Sequence, residues 1–141
     1  MTLTLDDART IIAAARAAGR ERSMQPLSIA VLDRGGHLLA FEREDGASNM
    51  RFQVAHGKAH GALALGVGSR ALMTRAEQQP YFVNAVTAAI GGALIPVPGG
   101  VLVRSGGETI GAVGVTGDTS DNDELAAVAG IEAAGFTPVT G

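Results

Sequence analysis

The chain contains no cysteine. A disulfide framework, a thiolate metal site and a cysteine nucleophile are all excluded. Aromatics are scarce, with one tyrosine, four phenylalanines and no tryptophan, so the core must be aliphatic and small-residue. Charge is mild: 11 Lys and Arg against 14 Asp and Glu give a formal net charge of -3. No basic patch stands out, so nucleic acid is not an expected partner. No apolar stretch approaches the roughly 20 residues of a membrane span, so no membrane association is expected. The N-terminal MTLTLDDAR lacks the basic region and apolar run of a signal peptide. The cytoplasm is therefore the expected compartment. No G-x-S-x-G, H-E-x-x-H or P-loop is present, and the spacing of Gly111, Gly114 and Gly117 is not the dinucleotide fingerprint.

What the chain has in quantity is glycine, 20 of 141 residues, placed at turns and in one strand. A length of 141 residues predicts a single domain, 1–141, with a real core. Thr4 and Asp7 resemble a capping box, and Leu5, Ala8, Ile11, Ile12, Ala15 and Ala18 recur at helical spacing, which predicts a first helix over 5–20. Two apolar runs, 27–33 and 37–43, flank Arg34-Gly35-Gly36 and predict a hairpin. Residues 50–65 read as a helix rich in Ala and Gly. Gly57 and Gly61 each cost about 1 kcal/mol there relative to Ala, so something packs closely on that side. Residues 69–77 read as short turns, and Pro80 opens a helix to about Ala88.

The stretch 91–117 reads as three short strands, 94–97, 101–105 and 109–116, joined by glycine turns. In the last of them Ile110, Ala112, Gly114 and Thr116 are expected on one face, bare enough for a helix or ligand to approach. Thr119 or Ser120 caps a final helix to about Ala134, and 136–141 reads as a tail. Hairpins at both ends predict an antiparallel α+β fold rather than a doubly wound one.

Five segments then carry a family resemblance: FEREDGA (41–47), AHGKAHGALALG (55–66), GGALIPVPGG (91–100), GETIGAVGVTG (107–117) and DNDELAAVAGI (121–131). Together they resemble the GlcG/HbpS family, also called the haem-degrading domain family, which includes the C-terminal domain of PduO-type proteins. The resemblance implies a profilin- or PAS-like fold, a five-stranded antiparallel sheet flanked by helices. It also implies a homo-oligomer, often an octamer, and haem or a related tetrapyrrole as the leading ligand. The cysteine ligand proposed for the PduO-type branch has no counterpart here.

Three groups of residues offer chemistry. His56 and His60, four apart on a helix, can face one way toward a metal or haem iron, or simply form a hydrogen-bonded helix flank. Lys58 between them reads as a solvated or ion-paired side chain pointing elsewhere. Asp118, Asp121, Asp123 and Glu124 crowd the start of the last helix, where they repel phosphate and suit capping, a cation or an acid/base. The resemblance falls on Asn122, Asp123 and Glu124, which marks Asn122 and Asp123 as ligand-site candidates. Arg43 and Arg51 can clamp a carboxylate such as a haem propionate, or Arg43 can pair with Asp45. Three readings stand together. One is a haem binder using His56 or His60 with Arg43 or Arg51. Another is an organic-acid hydrolase or isomerase with Asp123 or Glu124 as acid/base. The third is a structural or regulatory oligomer.

Overall fold

The computed structural model describes residues 1–141. The chain opens with α1 (Leu5–Glu21), started by a capping box in which Thr4 Oγ1 accepts the Asp7 N–H at 3.1 Å and Asp7 Oδ2 accepts the Thr4 N–H at 3.0 Å. β1 (Ser28–Asp33) and β2 (Leu38–Arg43) form the expected hairpin. α2 (Arg51–Leu65), α3 (Ser69–Gln78) and α4 (Pro80–Ala89) follow in succession. β3 (Gly100–Ser105) then pairs with β4 (Glu108–Thr116), and α5 (Ser120–Ala133) and β5 (Thr137–Val139) end the chain. The sheet order is β2-β1-β4-β3-β5, antiparallel at every pairing. This is the expected α+β fold, a five-stranded sheet flanked by helices.

Helices cover both faces, because both faces of the central strands are apolar. On one side Ile11, Ile12 and Ala15 of α1 and Ala126, Ala127 and Ile131 of α5 bury Ile29, Val31, Val101, Val113 and Val115. On the other, Ala59 and Ala62 of α2 pack on Leu32, Leu102 and Ala112. The small residues of α2 let it lie almost on the sheet backbone. A Cβ built at Gly114 would fall on the Ala55 carbonyl oxygen and 3.2 Å from the Ala59 Cβ.

The structure corrects four expectations. Residues 94–97 are not a strand: the segment crosses the outer flank of α2, where the Ile95 N–H donates to the Gly57 carbonyl oxygen at 3.1 Å. It supplies the close packing that Gly57 and Gly61 require, since Cβ atoms there would meet Ile95 Cγ1 at 2.6 Å and Leu94 Cγ at 2.8 Å. The fifth strand is instead Thr137–Val139, within the expected tail, paired with β3 through Leu102, Val103 and Arg104. Residues 69–78 are one helix, not short turns, with Leu72 buried against Val83 and Leu94. Ile110 sits where the β3–β4 register shifts, so it joins the core on the α1 side while Ala112 stays against α2.

Candidate functional site

The two flanks of α2 carry different chemistry. On the flank toward α5, Lys58 is 2% exposed, and of its two expected states it is the ion-paired one. Its Nζ donates to Asp123 Oδ2 at 3.0 Å and to the Val115 carbonyl oxygen at 3.0 Å. Asp123, equally buried, accepts the Asp118 N–H through Oδ1 at 2.9 Å. Gly99 closes the site from above with φ +123°, and a Cβ there would lie 2.8 Å from Lys58 Nζ. Burial pulls the Lys58 pKa down against the attraction of Asp123. Burial likewise pushes the Asp123 pKa up, opposed first by Lys58 and then by the Asp118 amide. The pair ties α2 to the end of β4 and to the first turns of α5.

The other carboxylates of this cluster are each engaged separately. Arg70 of α3 bonds Glu124 through Nε at 3.1 Å and pairs with Asp121 through Nη2. Asp118 accepts the Gln25 N–H at 2.8 Å and the Asn122 side-chain amide at 2.7 Å, and these bonds hold its pKa below the usual carboxylate value. Thr119 is the helix cap, accepting the Asn122 N–H at 3.2 Å. Asp123 and Glu124, the candidate acid/base residues, thus both sit in ion pairs.

Along the β2 flank of α2, four rings form a ladder. Phe41 meets Phe52 edge-on at 5.0 Å between centroids, Phe52 stacks on His56 at 5.5 Å, and His56 stacks on His60 at 5.3 Å. The two imidazoles do face one way, as expected, but their planes are within 22° of parallel. In-plane lone pairs on stacked rings run side by side rather than converge, and no cluster of three or more His, Asp or Glu is placed to hold a metal ion. His60 is anchored by a 3.0 Å bond from Nδ1 to the Ala93 carbonyl oxygen, which makes Nδ1 the protonated nitrogen. His56 instead lines an open groove of about 410 Å³ with Met50, Phe52, Gly91, Gly92 and Ile95.

Burial, and secondarily the charge of His60, lower the His56 pKa from its ordinary 6.5. Its folded value lies below its unfolded one, so its contribution to stability is full above pH 6.5 and is lost as pH falls through the folded pKa. His56→Phe keeps the stack and removes that titration. Urea midpoints measured between pH 7.5 and 5 are expected to fall less steeply in the variant than in the wild type, and parallel curves would refute the assignment.

Arg51 and Arg43 stand at the N-terminal end of α2. Arg51 donates to Thr116 Oγ1 at 2.7 Å and to Ser48 Oγ at 3.0 Å. The Arg43–Asp45 pair does not form. Glu42 and Glu44 are taken instead by Arg16, at 2.7 and 3.2 Å, and Glu44 also accepts the Leu27 N–H. The candidates therefore divide: Arg51 and Asp123 lie on the Lys58 side, and His56 and His60 on the other. Arg70 and Phe52 are the participants that sequence reasoning missed, and the reading of Lys58 as solvated or ion-paired lacks its partner Asp123. Lys58 did leave a signal, since its helical neighbours Ala55, Ala59, Gly61 and Ala62 are small enough to be buried with it.

A family model described as haem-degrading protein HbpS-like matches residues 3–132. A Citrobacter freundii protein, described as an uncharacterized 15.0 kDa protein in the dhaT-dhaS intergenic region, is 31% identical over 126 residues, covering 89% of this chain and 87% of its own. The crystal structure of ORFY from Klebsiella pneumoniae superposes with TM-score 0.86 at 28% identity, over 96% of this chain and 92% of its own. A double mutant of Streptomyces reticuli HbpS superposes with TM-score 0.80 at 30% identity, over 94% and 86% respectively.

Proposed function

Because the chain belongs to the HbpS-like family of haem-degrading proteins, we propose that it binds a flat small ligand, haem or a related tetrapyrrole, in the groove between α2 and the 91–95 segment. The observation that carries this reading is His56. It makes ring contacts only, faces the groove, and has a lowered pKa that keeps it neutral near pH 7. A neutral imidazole is the form that can ligate iron, and haem, if bound, would supply that iron for His56 to hold. The lining suits such a group: Phe52, Met50 and Ile95 are apolar, and Gly91 and Gly92 present bare backbone to a flat face. His60, bonded to Ala93, positions His56 by stacking against it.

The groove is open to one side, so one edge of a ligand lying in it would project outward. In the same reading the chain works as a cytoplasmic homo-oligomer, octameric as the resemblance implies, and a neighbouring copy covers that edge. Haemin titrated into the wild-type protein at micromolar concentration should give a saturable Soret shift at a defined stoichiometry. His56→Ala should weaken binding at least tenfold, about 1.4 kcal/mol. A weak, unsaturable signal would retire the haem reading.

A further inference from the structure

A second cavity lies at the C-terminal end of α2, where Leu65 and Val67 meet the α3–α4 pair. α3 and α4 are held by Leu72, Val83 and Leu94, a small core apart from the two that pack on the sheet. That small core leaves a cavity of about 240 Å³ beside it, with Leu65, Val67, Leu72 and Phe82 as its apolar wall. Leu65, Val67 and Phe82 are only half-buried, so part of this wall is still open to water. None of the residues around it belongs to the His56 groove.

The charge on this cavity is one-sided. Arg75 lines it, and no Asp or Glu does. The other arginine of α3, Arg70, is taken by Asp121 and Glu124, but Arg75 meets no carboxylate. Its guanidinium lies 3.9 Å from the centre of the Phe82 ring, and its Nε donates to Gln79 Oε1 at 2.5 Å. These two contacts fix the plane of the group and leave both Nη nitrogens without an acceptor. An oriented guanidinium therefore stands at the edge of an apolar cavity with no counter-charge.

We propose that this cavity binds a small apolar monocarboxylate, with the carboxylate on the two Nη nitrogens of Arg75 and the apolar body against Leu65, Val67, Leu72 and Phe82. The guanidinium fork matches a planar carboxylate, and a single cation with no acid beside it selects a single negative charge. The apolar wall disfavours inorganic phosphate, which has no apolar surface to bury and would lose water there. Size limits the body of the ligand to about one ring, because the cavity is below the roughly 300 Å³ at which pockets for drug-sized molecules begin. The test of this site does not involve haem.

Calorimetric titration of the full chain with benzoate, and with uncharged benzyl alcohol in parallel, decides it. The expected result is saturable benzoate binding at one site per chain, at least tenfold tighter than benzyl alcohol. Arg75→Gln should weaken benzoate at least tenfold. Ala71→Leu should do the same, since it fills the cavity and keeps the charge. Arg9→Gln, an equal loss of charge on the exposed face of α1, is expected to leave binding unchanged. If Arg75→Gln fails to fold, benzyl alcohol and Ala71→Leu decide between them. Absence of saturable benzoate binding, equal affinity for the two probes, or affinity indifferent to Ala71→Leu would each overturn the proposal. So would a sedimentation coefficient that changes in Arg75→Gln while benzoate fails to bind the wild type, a result that gives the cavity to a second copy of the chain.

Discussion

Lys58→Met should lower the stability of the folded chain by about 3 to 5 kcal/mol, the range observed when one partner of a buried ion pair is removed. The loss comes less from a missing attraction than from the Asp123 carboxylate left behind. That carboxylate is 2% exposed and keeps only the Asp118 amide as a donor. Asp123→Asn strands the ammonium in the same way, leaving Lys58 Nζ with the Val115 carbonyl oxygen and no counter-charge. Replacing both residues with apolar ones removes both buried charges, so the double variant Lys58→Met/Asp123→Leu should regain much of what either single variant loses. Urea unfolding of the four proteins gives the coupling energy directly. Additive losses, with the double variant the least stable, would show that the two groups do not act as a pair.

Gly114→Val should be nearly as damaging, by a different route. Gly114 lies in β4 between Ala30 of β1 and Gly100 of β3, with α2 directly above it. Any Cβ there collides with the backbone of Ala55, not with the yielding end of a side chain, so the helix itself must lift. Overpacking of this kind costs on the order of 3 kcal/mol. For a chain of this size that corresponds to a fall in melting temperature of roughly 10 °C. Because α2 also carries Arg51, His56 and Lys58, lifting it disturbs both flanks together. A melting temperature within a degree or two of wild type would mean that the close approach of α2 to β4 is not as described.

The parts of the fold readable from sequence are those whose signals are local. Thr4 and Asp7 announce the start of α1 three residues apart, and Gly35-Gly36 between two apolar runs announces the first hairpin. The shrinking face of β4, from Ala112 to Gly114, correctly signals a close neighbour, which is α2. The misses need information from elsewhere in the chain. Leu94 to Val97 has the apolar character of a strand, yet its partner is a helix backbone, and Pro96 and Pro98 remove the donors a ladder needs. α3 offers Leu72 as its only large buried apolar side chain, so periodicity is faint and the helix rests on packing against α4. β5 is three residues long and exists by virtue of its pairing with β3.

The same distinction runs through the site. The histidine pair is legible because positions four apart share a helix face. That His60 is anchored to Ala93, leaving His56 to face the groove, depends on a loop 33 residues away in the chain. The partnership of Lys58 with Asp123 spans 65 residues.

The proposed ligand site is tested most directly by comparing haemin dissociation constants for the wild type, His56→Ala and His60→Ala under one set of conditions. A site in which His56 is the iron ligand and His60 its support predicts saturable binding by the wild type, at least a tenfold loss in His56→Ala, and a smaller loss in His60→Ala. Equal constants in all three proteins, or a loss confined to His60→Ala, would contradict it.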